Sequence, residues 1–308
     1  ENQTSASEFV LLGLTSDPLI QSLLFFLFSV IYFITLLGNM VIMIVISTDP
    51  HLHSPMYFFL FHLALTDICY ATTVVPYMLA NFLVKQKTIG FSACIIQMSL
   101  ILLSAGSEIF MLSAMAYDRY VAICKPLHYQ EVMNKHACSH LVGGAWAMGV
   151  LHSIINTMPM LNVQFCKYTE IKHFSCELPP LLTAACGRTF LNKLVLLSSA
   201  VIFGSSSFLL TLISYIYIIS TVLKIKSSKG RHKVFSTCSS HLIVVVLLYT
   251  TALFQYTKPS SVSSIILDHL FSIQYSILTP MLNPIIYSLK NNDVKIALGR
   301  MLEKVHIS

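Results

Sequence analysis

Seven apolar runs, each long enough to cross a bilayer, constrain this chain more than any other feature. A helix needs about 20 predominantly apolar residues to span the hydrocarbon core. Leu23 to Ile46 meets that requirement without a single charge, and Met56 to Phe82, Phe91 to Cys124, Cys138 to Met160, Leu191 to Ile219, Phe235 to Phe254 and Ile265 to Leu289 follow. The sixth is weakened by the polar run Ser236-Thr237-Cys238-Ser239-Ser240-His241, and the seventh carries Asp268 and His269 near its start. Composition agrees: 55% of the residues are hydrophobic and only 10% are charged, whereas soluble domains carry about 25% charged residues. With 19 Lys and Arg against 13 Asp and Glu, the surplus of +6 is too small to suggest a nucleic-acid partner. A soluble enzyme, a disordered tail and a small disulfide scaffold are excluded. Receptor, transporter, channel and membrane enzyme remain.

Seven spans put the termini on opposite sides. The segment before the first span holds Glu1, Glu8 and Asp17 and no basic residue, whereas Lys224, Lys226, Lys229, Arg231 and Lys233 lie between spans five and six. Lys290, Lys295, Arg300 and Lys304 follow span seven. The positive-inside rule therefore predicts an outer N-terminus and a cytoplasmic C-terminus in a multi-pass protein of the lipid bilayer. Asn2-Gln3-Thr4 is an N-x-Thr glycosylation acceptor, which suits an outer tail. The first 22 residues have neither a basic n-region nor a cleavage-site pattern, so no cleaved signal peptide is expected. The expected organisation is an outer tail over residues 1–22, one all-α seven-helix membrane domain over 23–289, and a short amphipathic cytoplasmic helix and tail over 290–308. No internal repeat of the transporter kind stands out.

A charged side chain at bilayer depth is costly and suggests function by default. Asp67 in span two and Glu108 in span three each lie about eleven residues from the nearer end of their span, so they should reach similar depths. They could share a Na+, a proton or a water cluster, or simply pin helices together. No resident metal or cofactor is expected.

The inner end of span three reads Met115-Ala116-Tyr117-Asp118-Arg119-Tyr120-Val121-Ala122-Ile123-Cys124. This resembles the cytoplasmic motif of rhodopsin-like G-protein-coupled receptors in the extended form found in olfactory receptors, within the tetrapod-type subgroup. Further segments resemble that family in order along the chain: Gly38-Asn39, Pro55-Met56-Tyr57-Phe58-Phe59-Leu60, Leu63-Ala64-Leu65-Thr66-Asp67, Lys125-Pro126-Leu127-His128-Tyr129, Ser214-Tyr215, Phe235-Ser236-Thr237-Cys238-Ser239-Ser240-His241, and Pro280-Met281-Leu282-Asn283-Pro284-Ile285-Ile286-Tyr287. Two departures stand out: Leu248-Tyr249-Thr250 replaces the usual Phe-Tyr-Gly, and His173-Phe174-Ser175-Cys176 replaces His-Phe-Phe-Cys.

The resemblance implies an odorant receptor, not an enzyme, in the plasma membrane of olfactory cilia, with a stimulatory olfactory-type heterotrimeric G protein and cyclic AMP downstream. Asp118, Arg119, Tyr120, Tyr215, His241, Asn283, Pro284 and Tyr287 would form the switch. Asp118 is expected to pair with Arg119 in the closed state, and Tyr215 and Tyr287 to hold Arg119 in the open one. Pro284 removes a backbone donor inside span seven, and Asn283 is expected to satisfy the freed carbonyls. Asn39, Asp67, Glu108 and Asn283 would make an intramembrane polar cluster.

Cys94 starts span three on the same side as Cys166, Cys176 and Cys186, which recur in the outer loop between spans four and five. Spacing alone leaves three connectivities open. The resemblance implies Cys94 with Cys176 and Cys166 with Cys186. A metal site at His173, Cys176 and Glu177 is disfavoured because a disulfide would consume the thiolate.

Helical phase together with the family's pocket positions nominates Ile101, Leu102, Ala105, Ile109, Asn156, Ser199, Ala200, Phe203, Tyr249, Ala252, Tyr256 and Ser276 for the ligand. This mostly apolar set suits a small, neutral, volatile molecule. The outer half of span three, Ile95 to Ala105, has no acid for a cationic amine. The competing function is a cation or proton transporter using Asp67 and Glu108. An intramembrane enzyme ranks last, because no His-Glu-x-x-His, Gly-x-Ser-x-Gly or phosphate-binding loop is present.

Overall fold

A computed structural model describes residues 8–166, 169–257 and 265–307, so Asn2 and its glycosylation acceptor lie outside the described residues. Among the described residues, six helices are long and apolar enough to cross a membrane: α1 (Pro18–Thr48), α2 (Pro55–Leu83), α3 (Phe91–Cys124), α4 (Lys135–Met160), α5 (Phe190–Lys224) and the C-terminal span Ile265–Ser288. Between the last two lies α6 (Ser228–Thr257), with a shorter apolar core at Cys238–Leu253. The final span is built of Ile265–Ile273, a π-helical turn at Gln274–Leu278 and Thr279–Lys290, together α7, and α8 (Asn292–Ile307) follows.

All seven sequence runs fall within these helices, yet the N-terminal boundary differs from the expected one. Helix α1 begins at Pro18, because Asp17 Oδ1 accepts from the backbone N–H groups of Leu19 and Ile20 and so caps orphan donors. The tail ahead of it is not free either. Glu8–Leu11 forms strand β1, which pairs antiparallel with β2 (Thr88–Gly90) and parallel with β3 (Thr169–Ile171). Phe9 and Leu11 alternate into the core beneath this sheet while Glu8 and Val10 face outward. Gly13 turns the chain out of the strand at φ 70°, a conformation that costs little only for glycine.

Helix α3 is the axis of the bundle and packs against α2, α4, α5 and α6. Its approach to α4 depends on Gly149. A Cβ there would overlap Ser107 Oγ and stand 2.6 Å from the Leu103 carbonyl oxygen. Small residues allow backbones to come this close where no hydrophobic effect pulls helices together. The opposite faces of the helices remain apolar and exposed, as at Phe26, Phe33, Leu191 and Leu223. A bilayer is the solvent that suits them.

Helix α7 shows how a proline is accommodated. Pro284 cannot donate to the carbonyl four residues back, that of Pro280. Asn39 Nδ2 in α1 fills the vacancy, donating to Pro280 O at 2.9 Å and to Thr35 O at 2.9 Å. The sequence expectation gave that task to Asn283, which is adjacent. Adjacency is misleading here, because Asn283 points across the bundle and donates to both carboxylate oxygens of Asp67 at 3.1 and 3.0 Å.

Candidate ligand pocket and switch

The end of the bundle carrying the β-sheet is roofed by the segment between α4 and α5. Disulfides join Cys94 to Cys176 and Cys166 to Cys186. Gln97, nearly two turns into α3, braces the first of them. Its Oε1 accepts from the Cys176 N–H at 2.9 Å and its Nε2 donates to Thr73 O in α2 at 2.9 Å. Glu177 follows directly and is only 3% exposed. Its carboxylate accepts from Ser175 Oγ at 3.0 Å and from the hydroxyls of Ser272 and Tyr275 in α7. The roof is thus tied covalently to α3 and by charge-assisted hydrogen bonds to α7. Sequence reasoning considered Glu177 only as a disfavoured metal ligand; its place beside Cys176 was the available signal.

Beneath this roof lies a cavity of about 150 Å³. Five nominated residues line it, namely Ile101, Leu102, Ala105, Ile109 and Ala252. Glu108 lines it too, although it was expected only in the polar cluster. The other walls come from the roof (Glu177, Leu178, Pro179), from Tyr70 and Tyr275, and from His152, Leu196, Leu248 and Thr251.

Six nominated residues do not line the cavity. Asn156 and Ser199 satisfy each other, with Asn156 Nδ2 donating to Ser199 Oγ at 3.0 Å. Ala200 is half-buried on α5, and Phe203 packs its ring against Phe110 and His152. Tyr249 donates to Ser207 Oγ at 2.8 Å, so it joins α6 to α5 below the cavity, and Ser276 donates to Ser272 O at 2.6 Å within α7. Helical phase placed these side chains on inward faces but not against open space, which depends on how neighbouring helices cross. The side chain of Tyr256 lies outside the described residues.

Asp67 and Glu108 are each 1% exposed. Asp67 is held by Asn283, which also lies against the Glu108 carboxyl; Glu108 Oε1 is buried with no hydrogen-bond partner among the described residues. Asn39 reaches α7 through its backbone and not through either acid.

At the opposite end, Asp118 Oδ1 accepts from Tyr129 OH at 2.8 Å. Burial and the neighbouring carboxylate raise the Tyr129 hydroxyl above its usual pKa, so it stays a donor. The expected Asp118–Arg119 ion pair is not among the ion pairs of the described residues; Arg119 instead donates to Met56 Sδ in α2. Consecutive helical residues point about 100° apart, which lets Asp118 face the loop while Arg119 faces the bundle. Tyr120 packs against Tyr117 and Tyr217, with Lys125 over its ring.

His241 joins three helices. Its Nε2 lies 2.9 Å from Leu112 O, which can only accept, so Nε2 carries the proton and Nδ1 accepts from Tyr215 OH at 2.8 Å. Tyr215 is thereby occupied away from Arg119, and the buried Tyr287 hydroxyl has no hydrogen-bond partner among the described residues. The described residues hold no group of three His, Cys, Asp or Glu side chains placed for a metal. At the roof, Cys176 is bonded to Cys94 and His173 Nδ1 faces Ser175.

A roofed apolar cavity at one end of seven membrane helices, with an arginine held by a thioether at the other, defines a seven-transmembrane receptor. The olfactory receptor family profile matches residues 28–305. Olfactory receptor-like protein OLF4 of Canis lupus familiaris is 45% identical over 97% of this chain and 97% of its own length. Human olfactory receptors 8S1 and 2F1 are each 46% identical, over 96% and 99% of this chain and 81% and 96% of their own. The chain belongs to the olfactory receptor family, which consists of receptors rather than enzymes.

Proposed function

We propose that the protein binds a small volatile odorant in the roofed cavity and, when occupied, opens its Arg119 end to a stimulatory olfactory-type G protein that raises cyclic AMP. The carrying observation is the contrast between a walled, disulfide-roofed cavity and an opposite mouth that, among the described residues, is closed by packing and hydrogen bonds without a covalent tie, with α3 and α6 contributing to both. The sheet end faces outward in this reading, because disulfides form and persist in an oxidising exterior. The ciliary plasma membrane is the matching location.

The mechanism follows from the contacts. A ligand against Ile101, Leu102 and Ala252 touches α3 and α6 together. Any differential fit to two arrangements of α6 shifts their populations. Tyr249 transmits that shift through Ser207 to α5, and His241 lies two turns further on. Outward movement of α6 breaks the His241 bonds to Leu112 and Tyr215. Tyr215 and Tyr287 then become available to Arg119 as it leaves Met56, while Asn283 and Asp67 register the accompanying bend at Pro284.

A cavity of this size takes a ligand of about one ring, on the order of 10 heavy atoms. At about −0.3 to −0.5 kcal/mol per atom the affinity falls between about millimolar and hundreds of micromolar. The test is Arg119→Ala at matched surface expression, which should cut odorant-evoked cyclic AMP at least about ten-fold. Unchanged signalling would refute the coupling mechanism. Ion uptake into liposomes containing only this protein would instead support a transporter.

A further inference from the structure

We propose that the cavity selects a molecule of about one aromatic ring bearing a hydroxyl group, and that Glu108 and His152 accept or complete its hydrogen bond. This deepens the receptor reading by naming a ligand class, and it rests on that reading.

Size comes first. The cavity is about 150 Å³, a volume that in an apolar protein interior holds a benzene-sized molecule. Polarity comes next, from which donors and acceptors on the wall are already used. The Tyr275 hydroxyl is spent on Glu177, and the Thr251 hydroxyl donates to Leu247 O at 2.6 Å. His152 Nδ1 lies 3.2 Å from Leu102 O. A carbonyl only accepts, so Nδ1 carries the ring proton and Nε2 is left as a lone pair. The Glu177 carboxylate already accepts from three hydroxyls. Beside the Tyr70 ring, which packs on Tyr275, the wall offers acceptor capacity at His152 Nε2 and at the Glu108 carboxyl, which meets Asn283 on one side and whose buried Oε1 has no partner among the described residues.

An unsatisfied buried acceptor rewards a ligand that donates to it. A hydroxyl suits Glu108 in either proton state, donating to the carboxylate or both donating to and accepting from the neutral acid. A ketone, ester or ether can only accept, and so answers the neutral acid alone. An ammonium group would bring a net charge and more donors than His152 Nε2 and Glu108 can accept into a wall otherwise formed by Ile101, Leu102, Leu196, Leu248 and Ala252, at a desolvation cost that a hydroxyl does not carry.

The test uses the full-length receptor in cyclic-AMP reporter cells with a wide odorant panel that includes 2-phenylethanol, its methyl ether, 2-phenylethylamine and ethylbenzene. 2-Phenylethanol should act at about ten-fold lower concentration than the other three, as expected of a site built around a hydroxyl. Glu108→Gln supplies an N–H donor at similar volume and should narrow the gap between alcohol and ether to about three-fold or less. Since Glu108 neighbours the Asp67–Asn283 contact, His152→Phe serves as a second variant, with surface labelling for both. It should reduce the alcohol response more than the ether response. Ala252→Leu, which fills the cavity, should weaken all active probes alike.

Equal potency of ether and alcohol, a more potent amine, or an alcohol preference untouched by both variants would overturn the inference and leave the receptor reading standing. So would responses confined to panel members lacking a hydroxyl. If no odorant raised cyclic AMP, the receptor reading itself would fail and the inference with it.

Discussion

The two ends of the bundle are built from different kinds of bond. At the sheet end, two disulfides, three short strands and a carboxylate with three hydroxyl donors hold the roof over the cavity. At the Arg119 end no disulfide joins the described residues; the helices are held by apolar packing around Tyr215, Ile218 and Val222 and by separate hydrogen bonds, Tyr215 to His241, His241 to Leu112 O and Arg119 to Met56. Covalent ties resist rearrangement, whereas separate neutral hydrogen bonds such as the two of His241 are each worth about 1 kcal/mol net and exchange readily. The comparison shows how one bundle can keep a binding site in shape while leaving its other mouth free to open.

The strongest way to break that comparison is Cys94→Ser. The lost bond closes a separation of 82 residues, which by chain entropy is worth about 4.5 kcal/mol. Surface labelling and odorant response should both disappear; a variant that still reached the surface and responded would show that the roof does not depend on it. Cys166→Ser opens a separation of only 20 residues, an effect of about 3 kcal/mol on the same scale. Thermal unfolding of the purified receptor should rank it below Cys94→Ser.

At the other end the sign should reverse. His241→Phe removes two bonds restraining α6, about 2 kcal/mol in total, and should raise odorant-independent cyclic AMP by up to about 30-fold. Lowered basal signalling at equal expression would mean that the His241 bonds belong to the open state. The smallest effect belongs to Arg300, which donates to Asp49 Oδ2 at 3.1 Å between α8 and the turn after α1. Arg300→Ala should change stability only slightly, because a solvent-screened ion pair gains little over hydration of its two charges. The Asp49 carboxyl is held below its ordinary value of 3.8, chiefly by the backbone N–H of His51. Its stabilising contribution is therefore present above pH 3.8 and is lost as the pH falls through the lowered value. Melting curves over that range should separate Arg300→Ala from the parent only above it.

Several misassignments share one cause. Asn283 and Asp118 were paired with the groups adjacent to them in sequence, Pro284 and Arg119, yet each points across space to a different partner. Asn39 stands 241 residues from the carbonyl it satisfies, and no local pattern signals such a bond. Glu177 was legible as a residue beside a disulfide cysteine, but its convergence with Ser272 and Tyr275 arises from the π turn in α7 and the fold of the roof.

The sequence by itself determined the membrane class, the seven spans and the family. Hydropathy acts over a single helix, and motifs persist as strings of adjacent residues. Only the tertiary structure decided which inward-facing residues meet open space, that Glu108 belongs to the cavity, and that Arg119 rests on a thioether. Those outcomes depend on helix crossings and side-chain directions that no single segment encodes, such as the approach of α3 to α4 at Gly149. Along the chain, residue type states what a group can do; the packing of the other helices decides to what it does it.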